Sequence, residues 1–192
     1  MNLSLHPGAV GLYLHIPFCA SLCGYCDFYR IESEAGVPKG FEDLLLAEAR
    51  LYARDAPLRV DTVFFGGGTP SLLAPERMAR LMGGMGAVFQ WTPGMEVTLE
   101  ANPETVTSEN LAGWKAAGVT RLSMGVQSLS PGVLSSLERR ATAETSLRPL
   151  QLAAGAGFQH LSADCMSAVP GQVTADLRDT LETLAALPLD HL

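Results

Sequence analysis

The sequence predicts an α/β fold built on a parallel sheet, and two observations carry that reading. Short apolar strands alternate with helical stretches along the chain. Glycines or polar residues recur at or near the C-terminal ends of successive strands, the face on which barrel-type α/β proteins assemble their sites. The chain has 192 residues, 47% of them hydrophobic, enough for one domain with a core of its own. No low-complexity linker and no charge-rich tail interrupts it, so residues 1–192 read as a single domain.

The first strand, residues 11–15, runs into a loop that carries three cysteines. A helix over 41–54 follows, with Val37-Pro38 marking its start. The second strand, 62–65, ends on Gly66-Gly67-Gly68-Thr69-Pro70, and Ala74-Pro75 opens a helix over 76–89. The third, 96–100, closes on Glu100-Ala101-Asn102-Pro103 and leads to a helix over 109–117 that Gly118 ends. The fourth, 121–126, closes on Gln127, and a helix over 144–155 comes next with Gly157 as its exit. The fifth, 160–166, contains Asp164 and Cys165, the latter read as a buried, inert thiol. A last helix over 176–187 places Leu177, Leu181 and Leu184 on one side, the spacing of a core-facing stripe. Leu187 to Leu192 read as the start of a sixth strand that is cut off.

Cys19, Cys23 and Cys26 are the most specific signal. Thiolates this close can converge on one metal centre, and the uneven spacing is unlike the paired C-x-x-C arms of a zinc site. An iron-sulfur cluster fits better. Four cysteines close a cubane's coordination, whereas three leave one iron free for a ligand. The glycine run after the second strand has two readings: a backbone edge that a ligand approaches closely, or a tight strand-to-helix turn. Asp27 is read as shaping the cysteine loop.

Bulk properties exclude other classes. Net charge is −7, from 13 basic and 20 acidic side chains, with no block of Lys or Arg, so nucleic acid is not an expected partner. No apolar run approaches a membrane span, and Met1 to Pro7 lacks the regions of a signal peptide. The expected compartment is the cytoplasm, and four cysteines, three of them in one loop, do not form a secreted disulfide framework.

The run from His15 to Phe28 resembles the signature of the radical S-adenosylmethionine (SAM) superfamily. Tyr13-Leu14-His15-Ile16-Pro17-Phe18-Cys19 resembles, more narrowly, the branch of the oxygen-independent coproporphyrinogen III oxidases and the haem chaperones. The resemblance implies a partial (β/α) barrel of the radical SAM type, truncated near the start of the sixth strand. It also implies a 4Fe-4S cluster on Cys19, Cys23 and Cys26 whose open iron binds the amino and carboxylate groups of SAM. One electron then splits the sulfonium to methionine and a 5′-deoxyadenosyl radical. A Gly-Gly-Thr-Pro at this point lies along the methionine part of SAM in the superfamily, which assigns Gly67, Gly68 and Thr69 to the cofactor. By the same likeness Glu100 corresponds to a SAM-contacting glutamate and Gln127 to a cofactor-contacting glutamine. Arg139 falls where the family has an arginine, whose planar fork can bind a carboxylate through two hydrogen bonds. Asp164 matches the aspartate before the family's Gly-Leu-Pro-Gly-Gln, here Ala168-Val169-Pro170-Gly171-Gln172. Tyr13 and Tyr25 match ring positions near the cofactor.

Plainer readings exist for several of these. Tyr13 and Tyr25 suit core or rim aromatics, Arg139 beside Arg140 suits a solvated helix end, and His15 suits a hydrogen-bonded core histidine. His6, His160 and His191 read as structural or surface residues. The chain also departs from the family. Oxidases carry a fourth cysteine two residues after the third, where this chain has Phe28, as in the chaperone branch. A Gly-Arg-x-His stretch appears here as Glu138-Arg139-Arg140-Ala141, and Ala168 replaces a glycine.

The resemblance therefore implies a haem chaperone-like protein that binds haem and passes it to an acceptor protein, with SAM and an electron donor as further partners. A first alternative is an oxygen-independent coproporphyrinogen III oxidase, which decarboxylates two propionates to vinyls on a porphyrin substrate. A second, of a different class, is a non-catalytic module whose cysteines hold zinc or an inert cluster.

Overall fold

The computed structural model describes residues 8–53 and 58–192. The readings for residues 1–7, His6 among them, and for the end of the first helix at Arg54 lie outside the described residues. Five parallel strands form the sheet: β1 (Val10–Ile16), β4 (Arg59–Gly67), β5 (Gln90–Ala101), β6 (Arg121–Gln127) and β7 (His160–Cys165). They lie in chain order. A two-residue parallel ladder, β2 (Phe18–Cys19) with β3 (Ile31–Glu32), closes the cysteine loop. The helices between strands are α1 (Phe41–Tyr52), α2 (Pro75–Gly86), α3 (Ser108–Ala116), α4 (Pro131–Ser136) and α5 (Ala143–Gly155), and α6 (Thr174–Ala185) follows β7. This is the α/β partial barrel, open between β1 and β7. At the β7 edge the Asp190 N–H donates to the Leu161 carbonyl at 2.9 Å and the Ala163 N–H to the His191 carbonyl at 3.2 Å. Residue 191 thus forms an isolated parallel bridge with Ser162.

The two faces of the sheet differ in chemistry. Leu14, Ile16, Val63, Phe65, Val97, Leu99, Leu122, Met124, Val126, Leu161 and Ala163 are all buried and form one core with the helices. Alternate positions carry Tyr13, His15, Thr62, Phe64, Glu96, Thr98, Glu100, Arg121, Ser123, Gly125, Ser162 and Asp164. A parallel strand buried on both faces reads as a continuous apolar run; these alternate because the second face lines the concave interior. Branched side chains fill the interior of a closed (β/α)8 barrel. Here polar groups and glycines leave it open.

Across that face the register sets polar residues side by side. Thr98 pairs with Arg121, Arg121 with His160, Glu100 with Ser123 and Ser123 with Ser162. Arg121 donates to the Glu96 carboxylate at 2.9 Å, Ser162 Oγ to Ser123 Oγ at 3.0 Å and Ser123 Oγ to Asp164 Oδ1 at 3.2 Å.

Several sequence expectations are corrected. Every strand exists, but β4 and β5 are longer than read, because Arg59 and Val60 pair with Gln90 and Trp91 before the apolar segments begin. Accordingly α2 stops at Gly86 rather than at Phe89, and α6 runs over Thr174–Ala185 rather than 176–187. The helix after Pro38 does begin at Phe41, as read; Gly40 before it holds φ at +80° and Arg77 takes the Val37 and Pro38 carbonyls, each at 2.6 Å. On α6 the core face carries Thr180 and Leu184, whereas Leu181 is 36% exposed. Thr180 is preferred there because its Oγ1 accepts the Leu129 N–H at 3.2 Å. Cys165, read as buried, is half-buried, and α4 had no reading at all. Gly118 (φ +99°) and Gly157 (φ +73°) do end helices, each one residue past the C-cap.

One buried ion pair ties the helix layer together. Glu42 on α1 is 3% exposed and accepts from Arg77 on α2, with the Arg77 Nε at 3.0 Å from Oε1. Arg77 also holds the two loop carbonyls before α1, so its removal would leave the Glu42 carboxylate with only the longer contact to Arg80 at 3.4 Å and would take a donor from both carbonyls.

Candidate functional site

The C-terminal ends of the parallel strands converge on one cavity of about 400 Å³. β1 delivers Cys19 through the β2 ladder, β4 ends on the glycine run, β5 on Glu100, β6 on Gly125 to Gln127, and β7 on Asp164. Cys19, Cys23, Tyr25, Cys26, Gly67, Gly68, Thr69, Glu100, Gln127, Arg139 and Asp164 all line it. Tyr13 does not. It lies on the same sheet face nearer the start of the strands, 55% exposed, its ring stacked on Phe64 at 5.9 Å and its hydroxyl 3.2 Å from His15 Nδ1.

The cysteine loop is tied at both ends. The Gly68 N–H donates to the Ile16 carbonyl and the Thr69 N–H to the Phe18 carbonyl, both at 2.8 Å, while the Ser33 N–H donates to the Cys19 carbonyl at 2.8 Å. Between these anchors Cys26 N–H turns back to the Cys23 carbonyl at 3.2 Å. His15 Nε2 stands 3.1 Å from the Tyr29 carbonyl and so holds the outgoing strand of the loop against β1. Cys19 is buried, and burial pushes its thiol up, partly offset by a hydrogen bond from Thr69 and by the charge of Arg30. Ligation would release that proton.

Glycine is required where the second strand meets this loop. A Cβ on Gly68 would stand 2.8 Å from the Pro17 carbonyl carbon and 2.9 Å from both the Cys19 Sγ and the Phe18 oxygen. The backbone edge of residue 68 therefore runs flush against the first thiol. Gly67 adopts φ +116°, a conformation L side chains rarely take, and its N–H supports the Glu100 carboxylate. The cysteine loop itself fills the space a Gly68 side chain would take, so the glycine lets the loop pack flush on the end of β4; three thiols and this backbone edge facing one cavity fit a group bound between them.

The acidic side of the cavity is poised for a cation. Burial pushes the Glu100 carboxyl up, and the nearby Asp164 charge pushes it further. Burial likewise raises Asp164, against the hydrogen bond from Ser123. Two carboxyls that resist ionising together gain from a positively charged ligand or one with several N–H or O–H donors. Opposite them Arg139 donates to the Gly125 carbonyl at 2.7 Å, and Tyr25 feels its charge, although burial dominates and raises the phenol. Gln127, with φ +69°, sits at a register shift of β6 against β7.

Among the described residues no three His, Cys, Asp or Glu side chains converge as they would around one metal ion. A cubane spreads its thiolates over separate irons, so three cysteines around one open cavity suit a cluster better than a single zinc.

Some residues lining the cavity or packed behind its wall carried no functional reading in the sequence. Arg30 Nη2 donates to the Cys23 carbonyl at 2.9 Å. The Glu138 carboxylate packs on Gly24, where a Cβ would lie 2.7 Å from Oε2. Buried Ser71 joins the turns after β4 and β5, its Oγ accepting from the Asn102 N–H at 3.1 Å and from Thr105 Oγ1 at 2.7 Å. The basic residue four positions past Cys26 was the available signal for Arg30; Glu138 and Ser71 act across distances that no local pattern shows.

Comparison with known proteins gives concordant findings. A family model described as the Radical SAM superfamily matches residues 13–184. The chain is similar to the haem chaperone HemW of Mycobacterium tuberculosis, at 41% identity over 187 residues, covering 95% of this chain and 48% of that protein. It is also similar to the oxygen-independent coproporphyrinogen III oxidase of Bradyrhizobium diazoefficiens, at 31% identity, covering 95% and 41%. Among solved structures, the coproporphyrinogen III oxidase HemN of Escherichia coli superposes with a TM-score of 0.84 at 29% identity, covering 95% of this chain and 42% of that one. The chain spans about half the length of the curated relatives it matches.

Proposed function

Because the chain belongs to the radical SAM superfamily, we propose that Cys19, Cys23 and Cys26 hold a 4Fe-4S cluster and that SAM lies between it and the Gly67-Gly68-Thr69 edge. When bound, the cluster supplies the single electron that cleaves SAM reductively. The chain's own residues do the rest. Gly68 lets the cysteine loop pack directly on the backbone edge, which brings Cys19 alongside the proposed SAM position. Glu100 and Asp164 accept hydrogen bonds from the cofactor's donors and balance its positive charge, and Arg139 with Gln127 and Tyr25 encloses the opposite wall. The carrying observation is the convergence of three thiols, the glycine edge and two elevated carboxyls on one cavity.

The wider role we propose is haem chaperone-like: binding haem and passing it to an acceptor protein, with an electron donor serving the cluster. Support comes from the chaperone relatives, at up to 41% identity, and from Phe28. That residue stands two positions past Cys26, is 71% exposed and lines the cavity mouth, where it offers an apolar ring and no thiolate. The oxidase reading keeps a specific basis in the fold match to the Escherichia coli enzyme. No helix among the described residues is long and apolar enough to cross a membrane.

Anaerobic reconstitution tests the first part. About one 4Fe-4S cluster per chain is expected, lost on replacing any of Cys19, Cys23 or Cys26 by Ala and kept in Cys165→Ala; a stable zinc site would refute it. Haem titration and an anaerobic product assay test the second, and robust protoporphyrinogen IX formation would replace the chaperone reading with the oxidase.

A further inference from the structure

One charged side chain at the cavity has no task in this scheme. Arg30 leaves the cysteine loop just before β3 and folds back over it. Its Nη2 donates to the Cys23 carbonyl at 2.9 Å and its Nη1 to the Phe28 carbonyl at 3.3 Å. The guanidinium thus bridges both sides of Cys26, and it lines the same cavity as the three thiols. Its third nitrogen, Nε, is buried without a hydrogen-bond partner.

We propose that Arg30 is the positioning residue of the cysteine loop and that its buried Nε–H donates to a sulfur of the bound cluster, raising the cluster's reduction potential. The proposal rests on the reading that Cys19, Cys23 and Cys26 hold a 4Fe-4S cluster. A buried donor left unpaired costs its full desolvation, so a fold that keeps one at a ligand cavity is one whose partner arrives with the ligand. Hydrogen bonds to cluster and cysteine sulfurs, together with local charge, are the protein's main means of setting the potential of such a centre. Arg30 brings both, a charged guanidinium and an unpaired donor lining the same cavity as the three thiols. A lysine would retain the charge but could not span two carbonyls with a rigid fork and still present a third donor. The couple concerned is the 2+ cluster taking one electron from a chemical reductant such as dithionite to become 1+, with no bond made or broken.

The test compares wild type, Arg30→Lys and Arg30→Met as reconstituted full chains. The readouts are the midpoint potential from a titration followed by electron paramagnetic resonance, the rate of iron loss to a chelator, and the melting temperature of the apo chain. Arg30→Met should move the midpoint to more negative potential and speed iron loss several-fold. Arg30→Lys should lie between Met and wild type in potential while losing iron nearly as fast as Met. Wild-type potential in both variants overturns the proposal even if the apo chain melts earlier, because that is a structural role only. If Arg30→Met takes up no cluster, the potential of Arg30→Lys decides alone: unchanged from wild type, it overturns the proposal, and shifted negative, it supports it. Failure of wild type itself to take up a cluster is a separate result that removes the reading beneath.

Discussion

Replacing Gly68 by Ala tests the site at its tightest point. Optimal contact between non-bonded carbon atoms lies at about 3.5–4.0 Å, yet the new methyl would meet the Pro17 carbonyl carbon at 2.8 Å and the Cys19 Sγ and Phe18 oxygen at 2.9 Å. Relief requires movements of roughly 0.6–1 Å. The neighbouring backbone is pinned by the bonds from Gly68 to Ile16 and from Thr69 to Phe18, so much of the movement falls on the Cys19 thiol. Overpacking of this kind costs about 1–3 kcal/mol, which for a domain of this size lowers the melting temperature by roughly 2–12 °C. The cluster readout should suffer more than the fold, because the displaced atom is a proposed ligand. A suitable control is Gly83→Ala on α2, where a Cβ would meet nothing within 4 Å and where helix propensity gains about 1 kcal/mol. The assays are apo thermal melts and iron and sulfide content after reconstitution, followed by the response of the reduced cluster's electron paramagnetic resonance spectrum to SAM. A Gly68→Ala protein with wild-type melting, cluster content and SAM response would refute the close-approach argument.

Arg77→Ala should destabilise the fold by about 1–3 kcal/mol at pH 7, measured by urea unfolding, with Arg80 remaining 3.4 Å from the Glu42 carboxylate. The Arg77 guanidinium holds the Glu42 carboxyl below its usual range, so that contribution is present above the unfolded carboxylate pKa and is lost as pH falls through the folded value; the gap between wild type and variant should narrow in acid. Glu100→Gln and Asp164→Asn carry the opposite sign. Their folded carboxyls are raised, so each costs stability as pH climbs through the interval between unfolded and folded values, and each amide should melt higher than wild type at pH 7 as apo protein while weakening the SAM-induced spectral change. Ala168→Gly should stabilise the apo chain by up to about 1 kcal/mol, because Ala168 holds φ +59° in a region that penalises a Cβ; unchanged melting would show that the turn tolerates it.

The sequence revealed the parts of this molecule whose causes are local. Alternation along 121–126 and 160–166 gave strands of the right type, because one face meets the helices and the other a polar interior. Pro75 and Gly118 marked helix ends, because proline suits the first helical position and φ +99° suits glycine. Element limits were less legible, since the extra residues of β4 and β5 are strands only through pairing with each other. The short α4, Pro131-Gly132-Val133-Leu134-Ser135-Ser136, is too brief to show a period and buries only Val133 and Leu134. Leu181 failed as a core residue because hydrophobic spacing cannot anticipate that Thr180 gains a backbone partner. For the site, residue type and order sufficed to place the thiols, the glycine edge and both acids around one cavity. They did not keep Tyr13 out of the cavity lining, since strand alternation fixes a side chain's face but not its level along the sheet, nor give Arg30 a task, since that depends on how the loop after Cys26 folds back.

Backbone strain shows how this chain accommodates its departures from the family pattern. The non-glycine residues with left-handed backbone among the described residues are Gln127, Glu138 and Ala168. Gln127 and Glu138 line the cavity, and Ala168 lies beyond the end of β7 in a turn that Gln172 holds by accepting the Val169 N–H at 3.3 Å. Residues held in such sparsely populated conformations persist only where their surroundings determine them. Glu138 and Ala168 are also positions where the family resemblance led to an expectation of glycine, and their left-handed φ supplies the physical reason for it. The substitution at 138 has a second consequence. Its carboxylate occupies the space above Gly24, between Cys23 and Tyr25, so residue 24 cannot gain a Cβ while Glu138 keeps its place. Two segments far apart in sequence are thereby coupled at the cysteine loop, and a negative group is set on the rim opposite the bridge that Arg30 makes inside it. The loop is held by the Arg30 bonds within it and by the backbone bonds from Gly68 and Thr69, with Glu138 packed on Gly24, which is how a stretch with little regular structure can present three thiols to one cavity.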